Sequence, residues 1–210
     1  MGQKVNPISM RLQVNKNWRS KWFANKREYA KFLGNDLAVR RYIDKQVGSR
    51  GGIQTVDIER SPNLVTITIN TAKAGVVIGR GGAGAQLLKA DIEKIYNIPV
   101  RINIEEIKKP ELYAKLVAEN IAHQLERRIA FRRAVKQAAA ATMRAGAKGI
   151  RIEVAGRLGG SDMSRREKTV EGSVPLHTIR ADIDFHKTAA MYPGSGLIGV
   201  KVWIYKGEVS

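Results

Sequence analysis

The pattern of apolar and polar positions in the first half of the chain predicts a small domain that mixes helices and strands. Residues 52–60 (GIQTVDIER) and 64–70 (LVTITIN) alternate and are rich in β-branched side chains, so they predict the two strands of a hairpin. Residues 37–47 have apolar positions at helical spacing and run into glycines, which predicts a helix that ends there. After the hairpin the pattern predicts a short apolar helical turn at 74–78, a glycine loop, a helix at 83–95 and a strand at 100–106.

The second half of the chain has a different pattern. Beyond a linker at residues 107–110, it predicts helices at 111–129 and 131–145, followed by strands at 150–158, 173–185 and 197–207. Two helices followed by consecutive strands predict an α/β domain whose sheet is mostly antiparallel. The predicted fold class is therefore α+β, with a first domain over residues 35–106 and a second over residues 111–210.

Residues 1–34 predict a basic arm outside both domains. This stretch contains eight Lys and Arg residues and one acidic residue, Glu28. Asn25 is placed to cap a short helix that runs through Phe32, and Gly34 is placed to end it. We expect the cations Lys4, Arg11 and Lys16 of this arm to bind RNA.

Charge is the feature of the composition that narrows the function. The 210 residues include 37 Lys and Arg against 19 Asp and Glu, a formal net charge of +18. A chain this basic repels itself when compact, and the usual reason for such a charge is a polyanionic partner, either nucleic acid or an anionic membrane surface. The sequence has no cysteine and three histidines, none of them at helical ligand spacing, so we expect neither a metal nor a cofactor. No apolar run approaches the ~20 residues of a membrane span, and the expected location is the cytoplasm.

The glycine loop has two competing interpretations. Gly79, Gly81 and Gly84 fit the G-x-G-x-x-G spacing of a dinucleotide-binding loop, and Glu105 and Glu106 follow about twenty residues later. That fold requires a parallel strand that runs directly into the first glycine. Here a hairpin and a short apolar run precede the loop, so the sequence disfavours a dinucleotide site.

The second interpretation is an RNA-binding loop. Ile78-Gly79-Arg80-Gly81-Gly82 matches the G-x-x-G loop that lies between two helices of a KH domain, and the predicted order of elements is that of the type II form. Glycines let a sugar–phosphate backbone approach the main chain, the N-terminus of the next helix favours phosphates, and Arg80 adds charge. A tight structural turn without a ligand is the third interpretation.

The densest basic cluster lies at residues 126–136, ERRIAFRRAVK. At 100° per residue, three of its cations fall within one 100° arc of a helix, and apolar residues occupy the other side. A solvated charged face is the ordinary interpretation of such a run, but no acidic residue follows within four positions to neutralise it. We therefore expect an RNA-binding surface formed by Arg127, Arg128, Arg132, Arg133 and Lys136.

Further basic residues surround Gly159-Gly160 and predict a mobile loop that contacts phosphates. Asp182 and Asp184 alternate on a predicted strand, which would suit a pair of catalytic carboxylates. Because no nucleophile or third acid accompanies them, we interpret them as partners of Arg180 and other basic groups, and we expect no enzyme activity. The cations of the predicted loop are Arg157, Arg165, Arg166 and Lys168.

Six stretches of the sequence together resemble one family. They are MGQKVNP, VIGRGG, ERRIAFRRAVK, GAKGIRIEVAGRLGG, VPLHTIRADIDF and GVKVWIYKGE. From end to end, the chain resembles the family of small-subunit ribosomal protein three of the bacterial type. The resemblance implies an N-terminal arm, a type II KH domain and a C-terminal α/β domain. It also implies a position in the head of the small ribosomal subunit, where messenger RNA enters, beside ribosomal proteins ten and fourteen.

By this resemblance, Arg132, Arg133 and Lys136 line the entrance for messenger RNA and help to unwind structured messages without ATP. The implied partners are small-subunit ribosomal RNA, messenger RNA and the two ribosomal proteins, with no small-molecule substrate and no membrane. A free regulatory KH protein is a second function class, and a dinucleotide-dependent enzyme is a third. Residues 35–106 have ten Lys and Arg against eight acidic residues, a net charge of only +2, so we expect most of the electrostatic attraction outside them.

Overall fold

The structure is a computed structural model that describes residues 4–209, except for the side chain of Ser49. The chain divides into two compact units. One unit contains residues 18–108, and the other combines residues 4–17 with residues 109–209. This division differs from the predicted arm over residues 1–34, because the boundary between the two units falls inside that stretch, after residue 17. The other predicted domain boundaries stay predictions. The first three residues of the MGQKVNP stretch lie outside the described residues.

A short helix, α1 (Pro7–Met10), begins the second of these units, and Asn6 caps it through its side chain. The unit of residues 18–108 contains a four-stranded sheet in the order β1-β2-β3-β4. Its strands are β1 (Ser20–Lys21), β2 (Ile53–Arg60), β3 (Val65–Thr71) and β4 (Val100–Glu106). The β2–β3 hairpin is antiparallel, as predicted, whereas β4 lies parallel to β3 and β1 parallel to β2. The helices are α2 (Lys26–Ile43), α3 (Ser49–Gly51), α4 (Ala74–Ile78) and α5 (Ala83–Tyr96).

Strict alternation along β3 explains the core of this unit. Val65, Ile67 and Ile69 are buried, while the residues between them are only partly covered. They join Val39 of α2 and Ile92 of α5 in one hydrophobic cluster. The two long helices therefore bury their apolar sides against the inner face of the sheet, at about 25 cal/mol for each Å² removed from water.

A buried carboxylate anchors the start of this unit. Asp36 on α2 is fully buried, and its oxygens accept hydrogen bonds from Ser20, Trp22, Arg60 and Tyr96. Burial, together with the neighbouring Asp36 charge, raises the pKa of the Tyr96 hydroxyl, so this hydroxyl stays a donor at neutral pH. The carboxylate has enough donors to offset its desolvation, and it fixes residues 20–22 to α2.

The predicted end of a short helix at Gly34 is wrong. α2 continues from Lys26 through Gly34 to Ile43 and then passes into a π-helical turn over Asp44–Gly48. A glycine inside a helix costs only about 1 kcal/mol, and burial of Val39 and Ile43 farther along outweighs that cost. The chain turns instead at Gly52, whose φ of 62° is left-handed.

The other unit is built on an antiparallel sheet in the order β6-β5-β8-β7. Its strands are β5 (Gly149–Gly156), β6 (Arg165–Gly172), β7 (Ala181–Tyr192) and β8 (Gly196–Glu208), and its helices are α6 (Ala114–Glu126) and α7 (Phe131–Arg144). The helices pack on one face, where Ile152 of β5 and Val202 of β8 are buried. The opposite face carries a smaller cluster around Ile183 and Trp203.

Two elements of this unit differ from the prediction. Residues 165–172 form strand β6, which corrects the predicted mobile basic loop around Arg165, Arg166 and Lys168. Residues 173–180 are not a strand, and β7 begins only at Ala181. The sequence of β6 is polar because β6 is an edge strand. The alternating apolar residues Val174 and Leu176 led to the prediction of a strand at residues 173–180. They lie in irregular chain instead and pack against the smaller cluster.

Candidate nucleic-acid interface

The glycine loop joins two helices. Helix α4 ends at Ile78, a 3₁₀ turn covers Arg80–Gly82, and α5 begins at Ala83. The side chain of Arg80 is exposed at this turn. Because a helix and not a strand leads into the first glycine, the dinucleotide-binding interpretation is wrong for this loop.

Backbone conformation explains why the loop contains glycines. Gly79, Gly81 and Gly82 have φ angles of 71°, 60° and 82°, which residues with side chains rarely adopt. A Cβ atom on Gly84 would lie 3.0 Å from two carbonyl oxygens at the end of α4. The loop therefore brings the two helices close together and leaves its own backbone uncovered at Gly81 and Gly82, where a Cβ would meet nothing within 4 Å.

Apolar side chains are exposed beside the loop. Val76 of α4 and Leu87 of α5 border a groove of about 340 Å³ that also reaches Tyr42 of α2. The Tyr42 hydroxyl donates a 2.6 Å hydrogen bond to Asp91, which raises the pKa of Tyr42 and lowers that of Asp91. The loop thus combines an accessible backbone, one cation and an apolar surface, the features that a KH-type site requires.

Helix α7 separates its apolar and basic residues as predicted. Val135 and Ala138 are buried in the core, and Arg132, Arg133 and Lys136 are exposed. The three cations line one shallow depression of the surface, together with Gln137. A rigid helix therefore presents three positive charges at one place.

Arg127 and Arg128 lie outside α7. Helix α6 ends at Glu126, and the N–H groups of Arg128 and Ile129 donate to the carbonyls of Leu125 and Gln124, at 2.9 and 3.1 Å. This is a Schellman arrangement, and Arg128 takes the left-handed position (φ 61°) where glycine is usual. Both arginines are exposed, but they belong to the turn between the helices rather than to the basic face of α7.

The cations of β6 lie across from α7. Arg165 donates to Glu167 at 3.1 Å, and Arg132 reaches the same carboxylate at 3.5 Å. Arg166 and Lys168 are exposed on the strand, and Arg157 is bonded to the Ser161 carbonyl at the tip of the hairpin, a 2.9 Å contact. The predicted cations are thus present, but an ordered strand holds most of them.

Arg11 is a correction to the predicted RNA-binding residues. Its side chain is fully buried, with 0% exposed, and burial lowers its pKa although Asp182 opposes the shift. Its guanidinium donates to backbone carbonyls of Pro7, Pro175, Leu176, Thr178 and Ala181, at 2.8 to 3.5 Å. A guanidinium that is fully buried and bonded to five carbonyls is not accessible to a phosphate.

The other two predicted residues of this segment are partly engaged. Lys16 forms an ion pair with Asp182, and both side chains are largely covered. Lys4 lies 3.4 Å from Glu153, but 59% of its side chain remains exposed. Burial opposes ionisation of Glu153, but Arg151 and then Lys4 outweigh it, so the pKa of this carboxyl is lowered.

The comparisons with known proteins decide the family. A family model described as "KH domain" matches residues 38–112, and one described as "Ribosomal protein S3, C-terminal domain" matches residues 121–204. Small ribosomal subunit protein uS3 of Shouchella clausii is 53% identical over 209 residues, covering 100% of this chain and 94% of its own. The chain belongs to the uS3 family. The uS3 proteins of Streptococcus equi subsp. zooepidemicus and Lactobacillus delbrueckii subsp. bulgaricus are 53% and 54% identical; each match covers 100% of this chain, and 95% and 92% of theirs.

Membership in the uS3 family confirms the resemblance and the predicted fold class. The matched KH segment contains the glycine loop with its flanking helices α4 and α5. The second matched segment contains α7 and β6, so both clusters of exposed cations lie in the domain that defines the family.

Several residues that shape the uS3 surface were absent from the predicted set. Phe131, Glu167 and Thr169 line a groove with the basic face of α7. Phe131 begins the predicted helix, but nothing in the sequence pairs it with residues 36 to 38 positions later. Only the antiparallel β5–β6 pairing, which the polar sequence of β6 conceals, brings them together.

The two strand carboxylates have structural partners. Asp182 pairs with Lys16, and an oxygen of Asp184 accepts the N–H of Ala114 at 2.8 Å, at the start of α6. Within residues 4–209, no group of three or more His, Asp or Glu side chains is placed to hold a metal ion. In the same stretch, no helix is both long and apolar enough to cross a membrane.

Proposed function

We propose that this chain is a structural, RNA-binding component of the head of the small ribosomal subunit. In this proposal it binds ribosomal RNA and contacts messenger RNA where the message enters, and it helps to position and unwind the message during translation in the cytoplasm. Membership in the uS3 family supports the non-enzymatic, ribosomal part of this role. The proposed protein neighbours are ribosomal proteins ten and fourteen of the small subunit.

The observation that carries the messenger RNA contact is the shared depression of Arg132, Arg133 and Lys136. A buried helix face fixes the backbone that carries these cations, so phosphate binding has to order only their side chains. Arginine and lysine attract phosphates of any sequence, which suits a surface that must accept every message. Binding alone can favour the single-stranded form of a message, because a ligand shifts an equilibrium towards the state that it binds better.

The remaining predicted residues form further proposed contacts with RNA. Arg11 is no longer among them, because it is buried. The proposed set comprises the loop residues Ile78, Gly79, Arg80, Gly81 and Gly82, the turn residues Arg127 and Arg128, and the cations Lys4, Lys16, Arg157, Arg165, Arg166 and Lys168.

One substitution experiment tests the messenger RNA contact. Arg132, Arg133 and Lys136 are replaced with alanine, and the matched control replaces three exposed cations of the same unit, Arg144, Lys187 and Lys201. We expect both variants to co-sediment with small subunits. Only the first should slow translation of a message with a stable hairpin relative to an unstructured one.

Two results would contradict this proposal. If the α7 variant fails to assemble, the cluster is an anchor on ribosomal RNA. If it slows structured and unstructured messages equally, or no more than the control does, the cluster has no role in unwinding.

A further inference from the structure

A groove of about 330 Å³ lies between α7 and the neighbouring strands β5 and β6. Its floor is apolar and consists of Phe131 and Val135 from α7 with Ile152 and Val154 from β5. Its volume is near the lower end of the ~300–1,000 Å³ typical of small-molecule sites. The groove therefore has room for one flat ring system. Phosphates alone would gain nothing from contact with its apolar floor.

The rim of the same groove is polar and carries two cations, one carboxylate and one hydroxyl. Arg132 and Lys136 stand on the helix side, and Glu167 and Thr169 on the strand side. Glu167 lies near two arginines, Arg132 at 3.5 Å and Arg165 at 3.1 Å, so its negative charge is compensated. The site thus places an apolar surface, hydrogen-bonding groups and cations within the span of one nucleotide.

We propose that this groove holds one unstacked nucleobase of single-stranded RNA, while the adjoining phosphates bind Arg132 and Lys136. The proposal rests on the RNA-binding function proposed above and adds a base contact to it. A nucleobase has an apolar π-face and polar edges beside a charged backbone, and the groove has a matching surface for each part.

Phe131 is the main stacking surface in this proposal. The guanidinium carbons of Arg132 and Arg165 lie 5.6 and 5.8 Å from the centre of its ring, within the ~6 Å range of cation–π contacts. Planar guanidinium groups also stack on bases, so the base meets an aromatic ring and two arginines at the mouth of the groove. The Glu167 carboxylate and the Thr169 hydroxyl face the polar edge of the base, where a carboxylate accepts an amino proton.

The groove is open to a strand of RNA because β6 is the edge of its sheet. Successive side chains of a strand point to opposite faces. Glu167 and Thr169 are accordingly half-buried towards the groove, while Lys168 and Val170 are exposed. Thr169 and Val170 are therefore a matched pair of positions: the first faces the groove, and the second lies outside it.

The test fills the groove without removing any charge. Thr169→Tyr places a ring in the groove, and the control Val170→Tyr adds the same side chain on the opposite face of β6. Each full-length protein is titrated with a short single-stranded RNA and with an abasic oligonucleotide that has the same number of phosphates. We expect wild type and Val170→Tyr to prefer the RNA by about 5- to 100-fold, the range of one base stacked on an aromatic ring, and Thr169→Tyr to lose most of this preference. Phe131→Leu, which keeps an apolar side chain on the core, should act in the same direction.

Crosslinking gives a second readout that does not depend on affinity. An RNA that contains 4-thiouridine should crosslink within residues 131–136 or 167–169 of the wild type, and Thr169→Tyr should abolish that crosslink. The proposal is overturned if Thr169→Tyr keeps the full preference, or if the crosslinks map only to other residues. If the wild type binds both oligonucleotides equally and with a steep salt dependence, the base site fails and the electrostatic contact stands. If it binds neither, the proposed RNA-binding function itself fails.

Discussion

Residues 4–17 and helix α7 are both basic segments of the same unit, yet they use their cations in opposite ways. In the N-terminal segment, Arg11 is fully buried and Lys16 is paired with a carboxylate. On α7, three cations point outward around one depression. The sequence predicted RNA contacts for both segments, although the cations of α7 are the more closely spaced.

The difference shows that the groups around a cation, rather than its charge, decide whether it forms hydrogen bonds inside the protein or stays exposed to a ligand. Arg11 lies beside irregular chain at residues 175–178, whose carbonyls have no strand partner, and its guanidinium supplies the missing donors. On α7, the backbone groups are bonded within the helix, so its cations have no such task. In this unit, irregular backbone binds Arg11 inside the protein, and the bonded backbone of α7 leaves its three cations exposed.

The largest effect is expected at Arg11. Arg11→Ala should destabilise the unit that contains β7 by roughly 3–5 kcal/mol, because several buried carbonyls lose their donors at once. Hydrogen exchange measured by mass spectrometry should show faster exchange in peptides from residues 175–192. Arg11→Lys is the control: it keeps the charge but not the planar set of donors, so it should recover only part of the loss. If Arg11→Ala kept normal stability but bound RNA more weakly, Arg11 would act as an RNA contact like the cations of α7, and the contrast between the two segments would be wrong.

The next effect concerns the outward cations. Replacing Arg132, Arg133 and Lys136 with alanine should change the free energy of unfolding by less than about 0.5 kcal/mol. The slope of log affinity against log salt for single-stranded RNA should become shallower by about 2, at roughly 0.7 for each neutralised phosphate. Titrations at several salt concentrations measure this slope, with the Arg144, Lys187 and Lys201 variant alongside. An equal change in the control would mean that only the net charge matters.

A smaller, pH-dependent effect is expected at Glu153, the partner of Lys4 and Arg151. Since its pKa is lowered in the folded protein, the carboxylate adds stability above its unfolded pKa of about 4.3, and this contribution is lost as the pH falls through the folded value. Glu153→Gln should therefore lower Tm at pH 7 by an amount that shrinks towards zero near pH 3. A difference in Tm that stays constant with pH would show that the charge of Glu153 contributes nothing.

The smallest effect is expected at Lys4, which belongs to the first segment but resembles the second in its exposure. Its ion pair is exposed on the lysine side, so Lys4→Ala should change stability by less than about 0.5 kcal/mol. If it contacts a phosphate, the salt slope should fall by about 0.7. An unchanged slope would remove Lys4 from the proposed set and leave Lys16 as the one residue of this segment in it.

The sequence predicted those parts of the fold that local patterns determine. Strand β3 of the hairpin alternates strictly, α7 separates apolar from basic residues, and the Gly79–Gly82 loop needs positive φ angles, so each leaves a local signal. Strand β6 leaves none, because an edge strand with an exposed face has no reason to alternate apolar residues. The role of Arg11 depends on carbonyls 164 to 170 residues away, a distance that no local pattern spans. The groove beside Phe131 was missed for the same reason.

The contact between Arg11 and Ala181 also orders events in time. Arg11 is synthesised 164 to 170 residues before the carbonyls of residues 175–181 that it binds. At roughly 5–20 residues per second, the segment waits about 8 to 34 s for its binding site. The unit of residues 18–108 is complete well before then. Residues 4–17 are therefore translated before the rest of their unit, yet they are among the last residues to reach their place. For that interval their unpaired basic residues are free to meet any polyanion nearby.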